Sequence, residues 1–115
     1  MELQGKVWGT TTPVFCKNNV EIHRITGVKG GYCSKHHHVK KYNLFLLERG
    51  KLKVRVWKGY GLVDETILSP GMTCTVKPGE THQFEVLEDD TVAFEVYWTE
   101  IEPEDIVRDG VGGMA

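Results

Sequence analysis

Apolar residues recur at every second position along much of this chain. Leu52, Val54 and Val56 alternate with Lys51, Lys53 and Arg55, the period of a strand with one face buried and the other in water. Val92, Phe94, Val96 and Trp98 alternate with Ala93, Glu95 and Tyr97 in the same way. Similar runs predict strands at 20–28, 32–38, 43–47, 62–68, 73–76 and 82–87, with a shorter one near 6–9. Between them lie turn signals: Lys29-Gly30-Gly31, Arg49-Gly50, Lys58-Gly59-Tyr60-Gly61, Ser69-Pro70-Gly71, Lys77-Pro78-Gly79 and Glu88-Asp89-Asp90. Strands spaced about every 8–12 residues with such turns predict a sandwich or barrel. One short helix is expected at 102–108, with Pro103 at an early position and acids in its first turn. The Gly-rich tail 109–115 is expected to be loose. No repeat or linker interrupts the pattern, so residues 1–115 are expected to form one all-β domain.

Composition narrows the function classes. With 14 Lys+Arg against 16 Asp+Glu, the net charge is -2, whereas a nucleic-acid binder normally carries a basic excess to neutralise phosphates. No apolar run approaches the roughly 20 residues that span a bilayer, and the first residues lack the apolar stretch of a signal peptide. Cys16, Cys33 and Cys74 are odd in number and lack a CxxC spacing. Reduced thiols, most simply small buried hydrophobes, in a cytoplasmic protein are therefore expected.

Four of the five histidines fall in two contexts. In Lys35-His36-His37-His38, positions i and i+2 of a strand share a face, so His36 and His38 point together and His37 points away. Two residues rise about 6.6 Å along a strand, within reach of one ion held at about 2.0–2.1 Å by each imidazole. Lys77-Pro78-Gly79-Glu80-Thr81-His82 is a tight turn that delivers His82 at a strand start. Three converging imidazoles suit Zn, Fe, Ni, Cu or Mn, with open positions for water or substrate.

These residues resemble a known family. Gly30, His36, His38, Asn43 and Gly50 are spaced like the first motif of the cupins, and Gly71, Lys77-Pro78-Gly79 and His82 like the second. The resemblance implies a cupin jelly-roll (double-stranded β-helix) barrel over roughly 5–99, with a divalent transition metal (Zn, Fe, Mn or Ni) held by His36, His38 and His82. A narrower likeness, from Val7-Trp8-Gly9 through Phe94-Glu95-Val96 to Pro103-Glu104-Asp105-Ile106-Val107-Arg108, is to the cupin domain of type II mannose-6-phosphate isomerase. It implies a sugar or sugar-phosphate ligand and aldose–ketose isomerisation, while the wider cupin resemblance implies a homodimer paired through its sheets. Where the family usually places a Glu ligand, this chain has Asn43, whose amide oxygen is a neutral, weaker donor. Lys77 stands where a Pro often precedes the turn, and Val86 where an Asn follows His82.

Isomerisation needs a base as well as a Lewis acid. Glu95 is the nearest carboxylate if its strand face looks inward; otherwise it pairs with a lysine in solvent. Tyr32 or Tyr42 is an acid or positioning group or simply packs, and Lys35, Lys40, Lys41 or Arg24 either meets phosphate or confers solubility. His23 reads as a surface or strand-face histidine, and Trp8, Trp57 and Trp98 as packing. Two other readings stand beside the isomerase: a non-haem iron dioxygenase with a three-His site, and a cupin that binds a small molecule without turnover.

Overall fold

The computed structural model describes residues 4–100 and 111–114. Among these residues nine strands are present: β1 (Gln4–Lys6), β2 (Gly9–Lys17), β3 (Val20–Gly27), β4 (Tyr42–Arg49), β5 (Leu52–Trp57), β6 (Val63–Leu68), β7 (Thr73–Val76), β8 (Thr81–Val86) and β9 (Thr91–Trp98). They form a six-stranded sheet in the order β1-β2-β3-β9-β4-β7 and a three-stranded sheet in the order β6-β5-β8. All pairings are antiparallel.

The expectation of a barrel with a C-terminal helix is corrected. Hydrogen bonding leaves two separate sheets rather than one closed ladder, and every element among the described residues is a strand. The segment expected to be helical, 102–108, lies outside the described residues. No helix among the described residues is long and apolar enough to cross a membrane.

The core lies between the sheets. Phe45 and Leu47 of the large sheet meet Leu52, Val54, Phe84 and Val86 of the small one, each at most 2% exposed. Burying each such side chain contributes about 1.5–3 kcal/mol, and β5 shows the expected alternation, with Leu52, Val54 and Val56 buried. Close approach demands glycine at two turns. Gly50 adopts φ +89° against the Thr91 backbone, and a Cβ on Gly31 would lie 2.7 Å from the Trp8 Cβ.

Three local readings change. Residues 32–38 are not a continuous strand, because only the isolated bridges Tyr32↔Glu85 and His36↔His82 pin them to β8. Strand β2 had no apolar alternation to announce it, since it opens Gly9-Thr10-Thr11-Thr12-Pro13; the proline sits where the register with β3 shifts, as a bulge tolerates. Strand β9 turns Ala93 and Glu95 inward, both buried, while Phe94 and Val96 lie in cross-strand rows with Leu46 and Leu44 on the outer face. Cross-strand apolar pairing stabilises that outer row without placing it in the core.

Candidate metal centre

The linking segment and β8 bring His36, His38 and His82 together. One ring nitrogen from each lies within 4.8 Å of the others. Ring centroids are 4.5 Å apart for His36 and His82, 5.1 Å for His36 and His38, and 5.5 Å for His38 and His82. His37 between them is exposed, as the two-residue period requires.

Backbone carbonyls set the tautomers. His36 Nδ1 is 2.7 Å from the Ser34 carbonyl and His82 Nδ1 is 3.0 Å from that of Glu80. A carbonyl only accepts, so both Nδ1 atoms carry the proton and both Nε2 atoms are left as the acceptors that can bind a metal. His38 Nε2 and Asn43 Oδ1 are buried with no hydrogen-bond partner among the described residues. Each such orphan costs about 1–3 kcal/mol. The three imidazole nitrogens gathered at one seam fit a divalent cation, which would satisfy them together. Burial, and then His36 and His82, lowers the His38 pKa to about 4, and burial also lowers that of His82. Both are thus held neutral, as ligands must be.

Asn43 and Glu95 come from the large sheet. Asn43 is 1% and Glu95 8% exposed, so the carboxyl faces inward and pairs with no lysine among the described residues. Asn43 Nδ2 donates toward His82 Nε2 and Glu95 Oε2, each at 3.4 Å, and the Tyr97 hydroxyl also donates to Glu95 Oε2. Burial pushes the Glu95 carboxyl above the usual range, against the pull of these two donors, and Tyr97 is pushed up as well. Tyr97 therefore stays a neutral donor.

A cavity of about 810 Å³ opens beside the trio. Trp8, Phe45 and Phe84 give it apolar walls, while His36, Glu95 and Tyr97 give it chemistry. His38 and His82 are absent from its lining, so a ligand in it meets the trio through His36. Of the expected cations only Lys35 borders it; Lys41 is paired with Glu21 and Arg24 with Glu48. Tyr42 stacks on Trp98 and donates to Glu100, whereas Tyr32 lines the cavity. His23 lines it too. The sequence did hold a signal for that: His23 has the same two-residue parity as the buried Ile25.

No family model matches the chain, and no curated protein matches it. Solved structures do. KdgF from Halomonas sp. is similar at 16% identity and TM-score 0.75, over 88% of this chain and 90% of that one. Bacillus subtilis oxalate decarboxylase is similar at 15% identity and TM-score 0.76, over 91% of this chain but 29% of that one. The capsular polysaccharide assembling protein CapF from Staphylococcus aureus is similar at 19% identity and TM-score 0.74, over 90% and 30%. The chain thus spans less than a third of the last two. At such identities the likeness shows the fold alone.

Proposed function

We propose that this chain, a small protein of cupin fold, is a divalent-metal enzyme that isomerises a small hydroxy-carbonyl compound of the sugar or sugar-phosphate class. The observation that carries this reading is the buried carboxyl of Glu95 on the wall of the cavity that His36 also borders. His36, His38 and His82 hold the metal, and Asn43 is close enough to add its amide oxygen after a flip of the amide. The neighbours support a metal and an oxygen-rich ligand, since oxalate decarboxylase carries Mn(II) centres and CapF assembles a capsular polysaccharide.

When bound, the metal polarises carbonyl and hydroxyl oxygens as a Lewis acid. Glu95 takes a proton from one carbon and returns it to the next while the hydroxyl proton passes to the neighbouring carbonyl oxygen, and a carboxyl raised toward neutrality by burial suits a group that does both. Tyr97 and Asn43 hold that carboxyl in place through its Oε2. Trp8, Phe45 and Phe84 exclude water and so strengthen the local electrostatics.

The test is conversion of mannose 6-phosphate to fructose 6-phosphate under anaerobic conditions by protein of measured metal content. Turnover abolished by Glu95→Gln, with metal retained, supports the reading. Iron with O₂ uptake instead indicates the dioxygenase, a reading that the uncharged donor set of three histidines and Asn43 favours. Full metal without either reaction indicates a binding module. The free thiols of Cys16, Cys33 and Cys74 support a reducing cytoplasm. An outer row of Phe15, Ile22, Val96 and Leu44 on the large sheet supports a homodimer, to be checked by sedimentation.

A further inference from the structure

The cavity carries a polar group that this chemistry leaves unused. His23 on β3 stands in one cross-strand row with Glu95 and Phe45, and it meets the Tyr97 ring edge-on at 5.7 Å between centroids. Its Nε2 is 3.5 Å from Glu21 Oε2, while Glu21 Oε1 is held by Lys41 Nζ at 3.3 Å. A carboxylate on one ring nitrogen orients the imidazole. Among the described residues Nδ1 has no hydrogen-bond partner, so that ring nitrogen is left for a ligand.

The surroundings select the ligand's charge. Lys6 and Lys35 border the cavity, and Glu95 is the one acidic residue among its described lining, already engaged by Tyr97 and Asn43. Two of the three charged side chains on the cavity wall are thus cationic although the chain as a whole is at -2, and such local fields concentrate anions. Glu95 is close enough to feel both His23 and His36, so a molecule held at those two residues passes over its carboxyl.

We propose that His23, oriented by Glu21, is an oxyanion subsite, and that the cavity takes a small molecule bearing a phosphate or carboxylate whose other end reaches His36. This rests on the reading of the cavity as the substrate site, but the subsite itself needs no metal. The test uses full-length protein with isotope-labelled histidine, titrated by NMR with inorganic phosphate and separately with acetate, both zinc-loaded and after chelation. The His23 ring signals move saturably in both forms. His23→Gln weakens phosphate binding about tenfold, as loss of one charged hydrogen bond does, and Glu21→Gln weakens it less. Preference for phosphate assigns the subsite to a phosphate ester, and preference for acetate to a carboxylate. Unmoved His23 signals, or unchanged affinity in His23→Gln, overturn the proposal. So does binding that disappears on chelation, which places the anion on the metal. His23-dependent binding in a protein that takes up no metal overturns the metal reading and leaves the subsite standing.

Discussion

The amide nitrogen of Asn43 stands 3.4 Å from His82 Nε2 and 3.4 Å from Glu95 Oε2, so one neutral group bridges a candidate ligand and the candidate base. The bridge lets the uncharged Asn43 steer both neighbours. Replacing it with the carboxylate usual in the resembling family changes both. Asn43→Glu is expected to tighten zinc by about tenfold or more, the scale of a ligand or its support. It also sets a second carboxylate against Glu95, which raises the pKa of the pair and shifts the pH profile of turnover upward. Competition with a chromophoric chelator and a pH–rate series check the two effects.

His82→Ala removes the most buried of the three imidazoles and is expected to abolish stoichiometric metal. His37→Ala is the matched control. Its side chain is exposed between two candidate ligands, so metal content is expected to stay at the wild-type level. Elemental analysis of protein purified without added metal reads both.

In chelator, stability is expected to fall with acid. His38 has a folded pKa of about 4 against 6.5 in the open chain. Between those values the unfolded chain binds more protons, so stability drops as pH falls through 6.5 and levels off near 4. Glu95 acts with the opposite sign, because its raised folded pKa makes stability fall as pH climbs above 4.5. Thermal melts from pH 7 to 4 separate them: His38→Gln flattens the acid-side loss, and Glu95→Gln steepens the net loss.

Phe84 joins the core to the cavity wall, packing edge-on against Trp8 at 4.9 Å and against Phe45 at 6.0 Å between centroids. Phe84→Ala is expected to cost about 3–5 kcal/mol, read as a lower urea midpoint.

Much of the architecture was legible because a strand's period writes burial directly into sequence, as Leu52, Val54 and Val56 show. The histidine trio was legible for the same reason: parity put His36 and His38 together and a Pro-Gly turn aimed His82. Parity failed at β9. The larger apolar set there covers an outer sheet face, and the inner positions go to Ala93, Glu95 and Tyr97. Strand β2 was hidden by three threonines and a proline, whose pairing is decided by β3 rather than by β2. His23 was legible as a strand-face histidine but not as part of the cavity wall, because its neighbours across the sheet, Glu95 and Pro13, are distant in sequence. The barrel's lack of closure is likewise a matter of long-range hydrogen bonding.

The candidate centre draws on three separate pieces of the fold: His82 on the small sheet, Asn43 and Glu95 on the large one, and His36 and His38 on a segment tethered by two isolated bridges. It is therefore a seam rather than a pocket carved into one element. A small slide of one sheet over the other alters donor distances while leaving each sheet's own hydrogen bonds whole. A bound ion with a spectroscopic signature would then act as a strain gauge, registering loosened sheet docking before the strands themselves melt.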